Sequence, residues 1–121
     1  EFACPDRFPE AQDIVVCASY AQALKQSDIT TADAVVIATH SHLTDRDALD
    51  AALATPAGYI GMIASRRKRD LIYASLLDRG AAKEDLARVR SPIGLDIGAQ
   101  TPAEIAVAIA DELIAVKYGK A

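Results

Sequence analysis

YIGMIASRRKR, residues 59–69, is the stretch whose reading decides the fold. Its first five residues, 59–63, are an unbroken apolar run, and after Ala64 and Ser65 the chain turns abruptly polar and basic. A short apolar run without alternation is the pattern of a strand buried on both faces, as in a parallel sheet covered by helices. The basic part reads as the start of a helix over 66–79, capped by Ser65 and closed by Gly80 in a left-handed conformation. A strand that passes directly into a helix is the repeating unit of an α/β domain.

The same unit recurs upstream. DIVVCAS (13–19) and AVVIAT (34–39) are further apolar runs bounded by polar residues, so both are expected to be central strands. A short helix is expected over 20–26, a polar connection over 27–33, and a helix over 45–53 with Ala48, Leu49, Ala52 and Leu53 at helical spacing, stopped by Pro56, Ala57 and Gly58. Downstream, 83–89 reads as another short helix. RSPIGLDIGAQ (90–100) reads as a shaped loop or a very short strand, its Gly94 and Gly98 implying unusual backbone angles. Thr101, Pro102 and Glu104 supply a cap, a proline at the first helical position and a capping-box acid, opening a helix to about Tyr118. That helix is apolar around much of its girth, so deep packing against the sheet or against a second copy of the chain is expected. Alternating strands and helices give a doubly wound parallel sheet with helices on both faces.

A chain of 121 residues bounds this to one domain, residues 1–121, with one site. Its 51% apolar and 25% charged residues carry neither the signature of disorder nor a membrane-spanning run, and no export signal opens it, so the cytoplasm is expected. Cys4 and Cys17, with no CxxC spacing, read as reduced thiols. A net charge of −4 excludes a general attraction to nucleic acid. The positive charge is local instead: four of the 13 Lys and Arg residues are consecutive at Arg66, Arg67, Lys68 and Arg69. Such clustering points to a small anion.

Ligands of open α/β sheets bind outside the carboxyl ends of the strands, which here means Thr39 and His40, then Ser65, Arg66 and Arg67. A helix N-terminus carries roughly half a positive charge, and each cation placed there costs about 0.3–1 kcal/mol unless an anion is present. Ser65 as cap, backbone N–H groups and arginine forks would hold a phosphate. The alternative is a solvated basic stripe pairing with Asp70 or Asp78. His40, His42 and Asp45 form H-x-H-x-x-D, which has donor atoms for a metal but too few ligands to specify one. His40 reads instead as a hydrogen-bonding partner of a ligand or of loop backbone, or as a proton carrier, and His42 equally as a structural residue. Asp96, between glycines, is either a ligand contact or an acceptor within a turn. No Ser-His-Asp order, Tyr-x-x-x-Lys or Walker lysine loop is present, and none of the six glycines forms G-x-G-x-x-G. Since the chain opens in EFACPDRFPEA, it reads as entered partway through a domain, a C-terminal fragment whose N-terminal strand–helix unit is missing.

Taken together, YIGMIASRRKR at 59–69, SPIGLDIGAQTPAEIAVAI at 91–109 and ATHSHLTDRDAL at 38–49 resemble the C-terminal Rossmann-like domain of the xanthine dehydrogenase accessory factor family, XdhC/CoxI. The motifs fall in the family's order and cover nearly the whole chain. Ala64 stands where the family usually has glycine, and Ser41 where an acidic residue is common. The resemblance implies a chaperone, not an enzyme: a protein that binds the molybdenum cofactor, a phosphorylated molybdopterin, while a terminal sulfur is added, and delivers it to a molybdenum hydroxylase apo-enzyme. A sulfur donor and a second copy of the chain are the further partners implied. On this reading Arg66 and Arg67 hold phosphate, Thr39 and Ser65 line the site, and His40 and Asp96 face the pterin or nucleotide, with no catalytic residue and no protein-bound metal. The competing readings are an NAD(P)-dependent oxidoreductase on the same fold and an assembly module acting through the apolar last helix.

Overall fold

The computed structural model describes residues 20–39 and 41–120. The elements run α1 (Tyr20–Ser27), β1 (Ala34–Ile37), α2 (His42–Leu53), β2 (Tyr59–Met62), α3 (Arg66–Asp78), α4 (Lys83–Leu86), β3 (Val89–Arg90) and α5 (Pro102–Lys117). The strands form one parallel sheet in the order β1-β2-β3, with Ile37 opposite Met62 and Ile60 opposite Val89. The strand expected over 13–19, together with Cys4 and Cys17, lies outside the described residues.

All four residues of β2 are buried, and their alternation assigns them to two faces. Ile60 and Met62 join Ile37 in one apolar cluster with Leu49 and Ala52 of α2 and Ile72 and Leu76 of α3. Each large side chain buried there stabilises the fold by about 1.5–3 kcal/mol, which makes this face the main source of stability. Tyr59 and Gly61 point the other way. There the Tyr59 hydroxyl donates to Glu112 of α5 at 2.6 Å, and a Cβ on Gly61 would collide with the side chain of Ile93. Helices therefore cover both faces, and the doubly wound arrangement holds.

The capping chemistry is formed as expected. Ser65 accepts from Lys68 N–H at 3.2 Å at the start of α3, and Thr101 and Glu104 form the full capping box of α5. Gly80, just beyond α3, has φ 100. The structure departs from expectation at three places. α2 begins at His42, because Ser41 rather than the following loop supplies its cap, accepting from Thr44 N–H at 3.2 Å. The helix expected over 83–89 stops at Leu86, and Val89 and Arg90 pair with Ile60 and Gly61 as a short third strand. Periodicity does not separate two apolar residues of a strand from the last turn of a helix. Finally, α5 buries only Ala108 and Glu112, while Val107 and Ile114 on its outer side are more than half exposed. A three-stranded sheet presents one surface to one side of this helix, so apolar residues around its girth do not all find cover among the described residues. None of the described helices is long and apolar enough to cross a membrane.

Candidate functional site

Because the strands are parallel, β1 and β2 end on the same edge of the sheet, and the chain leaves that edge at Thr39 and at 63–65. The segment after β3 passes the same edge. Between them lies a cleft of about 480 Å³ lined by Thr39, Ser41, His42, Asp45, Ile63, Ala64, Ser65, Lys68, Pro92, Ile93 and Ile105.

Its polar part is a hydroxyl and carboxylate network around the first turn of α2. Asp45 is only 6% exposed, and its Oδ1 accepts from Thr39 N–H at 3.1 Å and from the Thr39 hydroxyl at 2.6 Å. The Thr39 and Thr44 hydroxyls lie 2.6 Å apart, and Thr44 Oγ1 lies 2.9 Å from Ser41 Oγ. A buried carboxylate persists only when hydrogen bonds replace its water, and here the strand exit itself supplies them. The network thus fixes the point where the chain leaves β1.

The four consecutive cations divide by position. Arg69 turns back to the protein: its Nη1 donates to Ser91 O at 2.8 Å, and its Nε and Nη2 lie 3.1 and 3.0 Å from Asp70 Oδ1. Lys68 lines the cleft, one helical turn from Ser65. Arg66 and Arg67 are exposed and are not part of the lining, and neither makes an ion pair among the described residues. The pairing with Asp70 expected of a solvated stripe is thus made by Arg69.

The apolar part comes from the segment after β3, which is pinned at successive residues. Ser91 Oγ donates to Met62 O at 3.2 Å, Gly94 N–H to Glu112 Oε1 at 3.3 Å, and Leu95 N–H to Ala108 O at 3.1 Å. Gly94 has φ 95, and a Cβ there would press on the Ala108 backbone at 3.2 Å. Ile93, between these anchors, sits in the space left by Gly61. Glu112 is 6% exposed and receives both the Gly94 N–H and the Tyr59 hydroxyl. Burial, reinforced by the hydrogen bond to Glu112, pushes the Tyr59 phenol well above its ordinary range, so it stays a donor.

Of the residues expected at the site, Thr39 and Ser65 line the cleft, Arg66 and Arg67 stand exposed on the first turn of α3, and Asp96 is exposed and outside the lining. His40 lies outside the described residues. His42 and Asp45 both line the cleft, but no group of three metal-ligating side chains forms among the described residues. Sequence reasoning counted Lys68 only as one of the four clustered cations, passed over Ile63, Ile93 and Ile105, and considered Asp45 only as a metal ligand. For Lys68 the signal was available, since Ser65 and Lys68 share a helix face by their spacing of three.

Residues 1–113 match the family model of the XdhC Rossmann domain. The chain is 38% identical over 113 residues to the Escherichia coli protein YqeB, covering 93% of this chain and 20% of that protein. It is 34% identical over 109 residues to a probable xanthine dehydrogenase component of Bacillus subtilis, covering 88% of this chain and 30% of that protein. The crystal structure of a xanthine dehydrogenase from Bacillus halodurans superimposes with a TM-score of 0.76 at 30% identity, covering 98% of this chain and 33% of the other. The chain thus spans between a fifth and a third of the length of these proteins. With the family model matched along 113 of its 121 residues, the chain belongs to the XdhC Rossmann domain family.

Proposed function

We propose that this domain serves an accessory protein of molybdenum hydroxylases, of the xanthine dehydrogenase or CO dehydrogenase type. It holds the molybdenum cofactor while the terminal sulfur is added and the cofactor is passed to the apo-enzyme. The observation that carries this reading is the two-sided lining of the cleft at the strand ends, with Thr39, Asp45 and Lys68 on the polar part and Ile63, Ile93 and Ile105 on the apolar part. Small-molecule sites combine an apolar wall with a few convergent polar groups in about 300–1,000 Å³, and the cleft falls within that size. The residues fit a phosphorylated pterin: the N-terminus of α3 with Ser65 and Lys68 suits the phosphate, and the apolar part suits the ring. The bound group would supply the molybdenum chemistry. The chain's own residues bind it, orient it and shield one side of it from water. Arg66 and Arg67, exposed at the same helix end, are available to the anion or to the acidic surface of the receiving enzyme.

Titration of the purified chain with molybdopterin, with NAD as competitor, tests this. Saturable binding is expected, unaffected by NAD and weakened about tenfold to a hundredfold by Lys68→Ala, the loss of one charge-assisted hydrogen bond. A smaller weakening is expected from Arg66→Ala combined with Arg67→Ala. Binding of NAD without binding of molybdopterin would overturn the reading in favour of a nicotinamide-dependent enzyme. One observation favours an added assembly role: Val107, Ile114 and Tyr118 are exposed along α5, a surface suited to a second copy of the chain. A molecular mass that rises with concentration, and returns to that of the monomer in Val107→Glu, is the expected result.

A further inference from the structure

We propose that Asp45 is the group that reads the ring of the ligand, by accepting N–H donors from a 2-amino-4-oxopyrimidine edge, the edge that a pterin and a guanine share. The inference rests on the reading of the cleft as a cofactor site and adds to it the atom that recognises the heterocycle. Asp45 is 6% exposed and lines the cleft, so the surface it keeps faces the ligand space. Its hydrogen bonds among the described residues all fall on Oδ1, from Thr39 N–H and the Thr39 hydroxyl. Oδ1 alone ties the strand exit to α2, and a neutral side chain would perform that role. The second oxygen of this buried side chain is left with two lone-pair positions for a donor that the described residues do not supply.

The rest of the cleft specifies the shape of that donor. Ile63 and Ile93 supply an apolar surface, and Ile93 is let down onto the sheet because residue 61 has no side chain. That surface suits the flat face of an aromatic heterocycle. Lys68 and the N-terminus of α3 are placed for an anionic substituent of the same molecule. A planar ring with adjacent N–H donors on one edge and a phosphate elsewhere satisfies all three features. A 2,4-dioxo ring does not, because it turns an acceptor toward the carboxylate.

The test compares matched probes that differ only at the 2-position: 6-hydroxymethylpterin against 6-hydroxymethyllumazine, and GMP against XMP. Each is titrated into the intact chain and into Asp45→Asn. Tighter binding of the 2-amino member by about tenfold to a hundredfold is expected for the wild type, the size of a hydrogen bond to a charged group. Asp45→Asn should abolish or invert that preference, because the amide turns a donor toward the ring. Loss of affinity by the same factor for both members of a pair would show that Asp45 acts only through the fold, and would overturn the inference. So would a wild type with no preference, a measurement that needs no variant to fold. If the preference appears for GMP over XMP and the pterin pair does not bind, Asp45 reads a guanine nucleotide and the molybdenum cofactor reading fails instead.

Discussion

Removing the Glu112 carboxylate tests whether the apolar wall of the cleft is held by one buried acceptor. In Glu112→Ala the Tyr59 hydroxyl and the Gly94 N–H both lose their partner, and Tyr59 is only 5% exposed, so water does not readily replace it. A buried donor left without an acceptor costs about 1–3 kcal/mol. Tyr59, bonded at 2.6 Å, should stand at the upper end of that range and the 3.3 Å bond from Gly94 at the lower end. The sum is about 3–4 kcal/mol, a large part of the roughly 5–15 kcal/mol by which a domain is stable. With a urea m-value of about 2 kcal/mol/M, the unfolding midpoint should fall by about 1.5–2 M. Glu112→Gln keeps an acceptor at the same place and should lose less than half as much. The same pair governs alkaline behaviour. The folded phenol keeps its proton above pH 10, where an unfolded tyrosine loses it, so the unfolded state binds fewer protons there. Stability should be unaffected by this group below pH 10 and should decline as the pH rises further, less steeply in Glu112→Gln. A Glu112→Ala variant within about 0.5 kcal/mol of the wild type, or a Gln variant as damaged as Ala, would refute the reasoning.

Gly61→Ala places a methyl group against the Ile93 side chain and 2.8 Å from the Tyr59 ring. It should cost about 1–3 kcal/mol in chemical denaturation and weaken ligand binding beyond that loss by displacing the cleft wall. Thr101→Ala removes the cap of α5 and should cost about 0.5–2 kcal/mol, with amide exchange accelerated in the first turn of α5 before anywhere else. The N–H groups of Thr101 and Gln100 hold the Glu104 carboxyl below its ordinary value. Its contribution should be complete above about pH 4.5 and fade as the pH falls through the lower folded-state value, an acid transition missing from Glu104→Gln.

What was legible in the sequence was whatever a short window determines. The nearly continuous apolar runs at 34–39 and 59–63, and the cap residues Ser65 and Thr101, carry their structural meaning within four or five neighbours. These fixed the strand–helix alternation and the edge of the sheet where the cleft lies. Features that depend on contacts between distant residues were not legible. Nothing near Asp45 says that its carboxylate folds back onto Thr39, nor that Ser91 will hold Arg69 and so turn one cation of four back to the protein. Glu112 reads as one polar residue of a helix that is apolar around much of its girth, and only the approach of Tyr59 and Gly94 makes it a buried acceptor. The brief strand Val89–Arg90 was hidden for a related reason, since two residues carry no period and its pairing with β2 alone defines it.

The central claim, that the molybdenum cofactor is held at the carboxyl ends of the strands, is tested most directly by hydrogen exchange of the chain with and without molybdopterin. The account predicts slowed exchange confined to 39–45, 63–69 and 91–95, with the outer side of α5 unchanged. Cofactor binding that leaves those three segments unprotected, or protects α5 alone, would contradict it.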